Sequence, residues 1–349
     1  METKAIYHHL TPQTYMRAWK NGNSHVYVVE KGTDGVGDRK STKKFGGVDN
    51  YHSLRVGFPY HTKDDTEKFF YPLEKYTVMK DDEVIKSTIE MNKQFYDFDS
   101  WTIIHNDSKR VVDPHEKKTL KDAILKIHVR DIEVGWSRLY ENYWNSINET
   151  ISNKVLANVS SQAIQAVKRD ELIKFMVSLE WRTKPYHPSL QEAFDTVLNK
   201  EFFGIDWKGI IIPEEERLYP FLENMYDEFA HSFVIKLYRQ FLDEKGTMMD
   251  EAIKIINNFC IVLFLAPNDG EFITSDNPVC RFTNNGGATE YIFPINPKIA
   301  CGVFRNGAID KYMIKKLTKD ELIHYNNKLK ENCNKGYIMR EQNRTLYFG

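Results

Sequence analysis

Residues 259–304 read FCIVLFLAPNDGEFITSDNPVCRFTNNGGATEYIFPINPKIACGVF, and the rhythm of this stretch sets the fold class. Runs rich in β-branched and aromatic residues, at Phe259–Leu265, Glu271–Thr274, Val279–Phe282, Glu290–Phe293 and Ala300–Phe304, alternate with Asn, Asp, Gly and Pro clusters. Such runs fit a pleated, half-buried surface, and the clusters between them turn the chain, so five short strands are expected. Asn284-Asn-Gly286-Gly287 is the natural hairpin loop among them. Further on, Thr318 followed three residues later by Glu321 announces a capping box and a helix over 318–333, and Gly336–Met339 gives a last strand.

Upstream the period changes from two to three and four. Leu125, Val129, Ile132, Trp136, Leu139, Tyr140, Tyr143 and Ile147 mark a helical stretch from Leu120 to Ile151. Helices are expected at 169–182 and 189–203, split by Thr183-Lys-Pro185 and Pro188, and again from Glu214 to Glu244. The acidic triplet at 214–216 suits a helix N-terminus, which reads better than a metal cluster. Near the start, a strand-like segment precedes Thr11, which can cap a short helix with Pro12 at its first position. His25–Glu30 is a strand, and the glycine-rich stretch 31–50 is a loop. The expectation is an α+β fold: a helical central part and a mixed, mainly antiparallel β C-terminal part joined by the N-terminal strands. Its regions would be 1–118, 119–256 and 257–349, the last with a C-terminal helix, within what could be one continuous domain.

Composition narrows the class. A chain of 349 residues with 41% hydrophobic and 28% charged side chains can bury a sizeable core and has no disorder signature. Lys and Arg number 48 against 49 Asp and Glu, which excludes a chain basic throughout. Local patches survive this neutrality: residues 311–340 carry eight basic and three acidic side chains, and 31–48 five and two, whereas 214–228 carry six acidic and one basic. A patch, and not the total, sets the local field, so a nucleic acid or another phosphate-bearing ligand remains open as a partner. Cys260, Cys280, Cys301 and Cys333 form no CxxC, which fits buried thiols in a reducing compartment. The N-terminus lacks an apolar signal region and the longest apolar run, Phe259–Ala266, is too short for a membrane span, so the expected location is the cytoplasm. P-loop, dinucleotide-fold, zincin and zinc-deaminase motifs are absent, and Ser275 lacks a nucleophile elbow.

Five separated pieces, in order, resemble the bacterial domain-of-unknown-function family numbered 4238. They are Tyr7-His8-His9-Leu-Thr-Pro12-Gln13-Thr-Tyr15-Met, Asp131-Ile132-Glu133, Trp181-Arg182-Thr183-Lys-Pro185, Phe272-Ile-Thr-Ser275-Asp276-Asn277-Pro278-Val279 and Phe293-Pro294-Ile-Asn-Pro297. The likeness runs from about residue 6 to 340. It implies a shared fold and positions of interest, and an association with bacterial phage defence.

Chemistry selects among the residues in these pieces. On a strand His8 and His9 point to opposite sides, so only one enters a site; an imidazole there exchanges a proton near pH 7 or ligates a metal. Glu133 borders the apolar face of its helix, where a carboxylate is either paired inside or lifted to the rim. Asp276 follows a strand, where an Asx-turn accounts for it as well as a cleft does. Arg182 at a helix end can clamp phosphate bidentately or cap carbonyls. One reading is a nuclease-type enzyme that cleaves phosphodiester bonds, with or without a divalent metal ion. In it His9, Glu133 and Asp276 are catalytic, and His8, Gln13, Arg182, Ser275 and Asn277 bind substrate. The competing reading is a non-catalytic binding or sensing module with a protein partner from the same operon, in which the same segments interlock as structural loops.

Overall fold

Strand Cys260–Leu265 lies within a six-stranded sheet, pairing antiparallel with Ile299–Phe304 on one side and parallel with Lys311–Lys316 on the other. The full order is Cys280–Thr283, Thr289–Asn296, Ile299–Phe304, Cys260–Leu265, Lys311–Lys316, Ala163–Gln165. The two central strands are buried along most of their length, and their sequences are accordingly near-continuous apolar runs. A second sheet runs Thr274–Ser275, Gly336–Met339, His25–Glu30, Asp38–Ser41, so a strand from the start of the chain is zipped antiparallel against one from its end. This is the expected α+β class, with N-terminal strands joining the C-terminal β part.

The structure, a computed structural model, describes the chain outside residues 1–5, 23–24, 59–60, 184–191, 193, 197, 199–203, 215–216, 218 and 284–288. The segment at Lys184-Pro185 and Pro188, most of the expected helix 189–203, Glu215 and Glu216, and the hairpin loop 284–287 therefore lie outside the described residues. The chain divides into two compact units, one of Met1–Lys4, Asn50–Val134 and Ala193–Arg239, the other of Ala5–Asp49, Gly135–Glu192 and Gln240–Gly349. For brevity the first is called the split unit and the second the sheet unit.

Several elements differ from expectation, each for a local reason. Of Glu271–Thr274 only Thr274 is in a strand, because the preceding N–H groups go elsewhere: Glu271 to Leu346 O, Phe272 to Pro297 O and Ile273 to Asn326 Oδ1. Residues 31–50 hold two strands, Asp38–Ser41 and Gly47–Asp49, the latter paired with Tyr7–His9. Gly47 lies under the Tyr7 ring, where a Cβ would come within 2.5 Å of it. The stretch 120–151 is divided among the helices Pro114–Leu125, Asp131–Leu139 and Trp144–Leu156. Its first break is a bridge in which Val129 and Leu54 exchange both backbone hydrogen bonds, at 2.8 and 3.0 Å. The long helix expected from Glu214 to Glu244 starts at Met225, because Asn224 Oδ1 accepts the Asp227 N–H and caps it. Thr11 does not cap the helix Gln13–Met16; its hydroxyl donates to the carbonyl of Asp276.

In the sheet unit, buried aromatic rings anchor the N-terminal segment. Tyr15 stacks on Phe293 at 5.4 Å and its hydroxyl donates to Pro294 O, while Trp19 Nε1 donates to Phe272 O at 2.8 Å. Trp144 stacks on Phe175 at 4.3 Å. In the split unit, a three-stranded sheet (Glu83–Val84, Tyr76–Lys80, Thr102–His105) accompanies an aromatic cluster of Phe70, Phe95, Phe98 and Trp101. Helix Lys63–Phe70 opens on a full capping box between Thr62 and Asp65.

Candidate functional site: a buried His–Glu pair and an interlocked loop set

Within the split unit, the Leu54–Val129 bridge sets residues 50–55 alongside 128–133. His52 and Glu133 meet here: His52 Nδ1 lies 2.6 Å from Glu133 Oε2. The imidazole is fully buried, whereas the Glu133 side chain keeps 19% exposure. A carboxylate that accepts from one ring nitrogen fixes the ring's tautomer and orientation, and the imidazole in turn holds the carboxylate in one rotamer. Glu133 is thus paired inside and still reaches water.

Three cationic or potentially cationic groups share the neighbourhood of that bridge. Arg55 and Arg130 both act on His128, whose imidazole is held down at about 4, first by burial and then by the two guanidinium charges. Arg55 also lies over the Tyr219 ring at 5.7 Å. Beneath the pair, His231 is fully buried; its Nε2 donates to Tyr51 O at 2.9 Å, and burial lowers its pKa to about 4, so the ring is neutral.

The sheet unit holds the other expected site residues. His8 is fully buried on strand Tyr7–His9, and His9 on the opposite side is half-buried, as alternation requires. The Gln13 amide donates to His9 Nε2 at 2.6 Å, and Arg182 Nη2 donates to the His9 carbonyl, also at 2.6 Å. Arg182 is completely buried, ion-paired with Glu141 at 2.8 Å and laid 4.8 Å over the Trp136 ring. His9, Gln13 and Arg182 are therefore brought together.

Asp276, Ser275 and Asn277 form a second knot in the same unit. The N–H groups of Asn334 and Lys335 donate to the two Asp276 carboxylate oxygens at 2.8 and 2.6 Å. Burial pushes this carboxyl up from the usual range and the donated bonds pull it back. Asn277 N–H donates to Ser275 Oγ, Asn277 Oδ1 accepts from Thr183, and Asn277 and Asn332 exchange side-chain to carbonyl bonds at 2.9 and 2.8 Å. The Asp276 contact is not the local Asx-turn that sequence suggests: its partners lie 58 and 59 residues away.

His52 and the three groups around the bridge escape a reading of the sequence. A lone histidine in Tyr51-His-Ser-Leu-Arg55 carries no spacing signal, and its partner is 81 residues distant.

The structure thus defines an α+β protein with a buried His–Glu cluster in one unit and interlocked polar loops in the other. The chain belongs to the family described as Protein of unknown function (DUF4238), whose model matches residues 7–343. No curated protein and no solved structure matches it. Among the described residues, no helix is long and apolar enough to cross a membrane.

Proposed function

We propose that the chain is a hydrolase of the nuclease type, with Glu133 as the group that meets water and His52 as its positioning partner. The observation that carries this reading is the 2.6 Å contact between a fully buried imidazole and a partly exposed carboxylate. A carboxylate so held can take a proton from water while the water oxygen forms a bond to phosphorus; the bond from phosphorus to the leaving oxygen breaks, and that oxygen takes up a proton. Arg55 and Arg130 supply a positive field suited to a phosphodiester substrate. A divalent ion would find two donors in His52 and Glu133, which suit the lighter transition metals. In this reading the knot of Ser275, Asp276 and Asn277 and the buried Arg182 position the fold, because their polar atoms are committed to protein groups.

Incubation with single-stranded and duplex RNA and DNA, with and without Mn²⁺ or Mg²⁺, tests the proposal. Cleavage that falls by about 100-fold or more in Glu133→Gln and in His52→Gln, with far-ultraviolet circular dichroism unchanged, supports it. Cleavage unaffected in both, or no turnover of any of these nucleic acids, overturns it. The second reading, a binding or sensing module, is favoured by the same committed loops of the sheet unit; it is supported if no nucleic acid is turned over while a partner from the same operon co-purifies equally with wild type and both variants. The association with phage defence is checked by plaque counts on cells expressing wild type or Glu133→Gln: a role requires protection that the variant loses.

A further inference from the structure

The sheet unit contains a cavity of about 450 Å³ that none of the candidate site residues lines. Its wall is apolar, built from Tyr140, Ile147, Phe175 and Leu242, with the exposed ring of Tyr143 at the rim. Tyr140 is 8% exposed and its hydroxyl makes no hydrogen bond to a described residue. The size suits one small molecule, and an apolar wall with a few convergent polar groups is the usual form of a ligand pocket.

The electrostatics choose the ligand's sign. Glu171, Asp243 and Glu244 line the cavity against Arg138 and Lys174. Lys174 is paired with Glu244 at 2.7 Å, and Glu171 with Lys168 at 3.0 Å. Asp243 has no ion pair among the described residues. In addition, helices Asp131–Leu139 and Met225–Leu242 both end at this cavity, Leu139 and Leu242 being part of its lining. Helix C-termini present carbonyl ends with about half a negative charge each. Aromatic faces add to the same preference, since their quadrupole attracts cations.

We infer that this cavity binds an organic cation, a small ammonium compound whose apolar body packs on Phe175, Ile147 and Leu242 while its charged nitrogen sits toward Asp243, the helix ends and the Tyr140 hydroxyl. An anion of the same shape would face three carboxylates against two cationic side chains, Arg138 and Lys174, the second tied to Glu244. Neither His52 nor Glu133 lines it.

Titration of the full chain with 2-phenylethylammonium and with 3-phenylpropanoate, followed by calorimetry and by NMR, separates the two signs with near-identical bodies. The ammonium is expected to bind about 10-fold or more tighter than the carboxylate. Asp243→Lys, a change at an exposed position, should lower its affinity by about 10-fold or more without altering the melting temperature. Leu242→Trp, which fills the cavity, should abolish binding; its fold is checked by circular dichroism. The inference is overturned if the carboxylate binds as well or better, if neither probe binds at about 10 mM, or if Asp243→Lys changes nothing.

Discussion

In the split unit two imidazoles, His52 and His231, are essentially unexposed, and one carboxylate, Asp65, is buried in the grip of Arg239. The sheet unit buries one imidazole, His8, and is richer in guanidinium–carboxylate pairs and thiols: Arg182 with Glu141, Arg281 with Glu180 and Glu251, and the four buried cysteines. Glu180 is fully buried, and Arg281, between two carboxylates, lies 4.3 Å over the Tyr291 ring. Burial pushes the Cys301 thiol up to about 12 and Cys333 to about 11, so both stay protonated and inert. The difference teaches how each unit answers to its surroundings. Buried imidazoles change their protonation cost across mildly acidic pH, whereas Arg–Glu pairs keep their charges there.

The largest effect is expected on the sheet side. Removing one partner of a buried ion pair leaves the other charge unmatched, at a cost of about 3–5 kcal/mol. Arg182→Ala should therefore lower the urea midpoint sharply, and adding Glu141→Ala should recover part of the loss. If Arg182→Ala costs under about 1 kcal/mol, the buried pair is not what holds this unit's N-terminal segment.

Acid should strike the split unit. The native His231 pKa of about 4 lies below the ordinary value of about 6.5. Between those values the unfolded chain binds a proton that the native state refuses, so stability is present above pH 6.5 and falls as the pH drops toward 4. The full loss is about 3 kcal/mol for this ring. His128, held down to about 4, and His61, also lowered by burial, act in the same direction. Hydrogen exchange at pH 7 and pH 5 should show amides of residues 50–70 and 225–239 losing protection before those of 260–304. His231→Gln should flatten that pH dependence; equal loss in both regions would erase the contrast between the units.

The smallest effect compares two matched caps. Thr62 in the split unit and Thr318 in the sheet unit each complete a capping box. Thr318→Ala should cost about 1 kcal/mol. Thr62→Ala should cost more, because Thr62 also donates to Asp65, a buried carboxylate that Arg239 grips. Calorimetric melting of both variants checks the order, and a reversed order would show that the Asp65–Arg239 pair does not depend on its cap.

What sequence discloses follows the range of the interactions involved. The box of Thr318 and Glu321 is closed within four residues, and helix Lys319–Asn332 follows as read. His25–Glu30 and Gly336–Met339 also carry their own strand character. Thr11 misleads because a partner 265 residues away claims its hydroxyl. The stretch 120–151 misleads because Val129, with good helical spacing, is taken by Leu54. Of the site, Glu133 was legible as an acid on an apolar border and Arg182 as a cation at a helix end. Their partners were not, since neither His52 nor Glu141 stands at a recognisable spacing from them.

The pairing of His25–Glu30 with Gly336–Met339 has a consequence in time. Glu30 cannot meet Gly336 until some three hundred further residues have been synthesised, the register being Glu30 to Gly336. At ribosomal speeds of about 5–20 residues per second, the strand waits roughly 15–60 s for its neighbour. Throughout that interval Val26, Val28 and Val29, all buried in the finished protein, belong to a nascent chain with an open strand edge. The second sheet therefore closes only long after its first strand has been made, and growth conditions that slow elongation lengthen the period in which that strand edge stays unpaired.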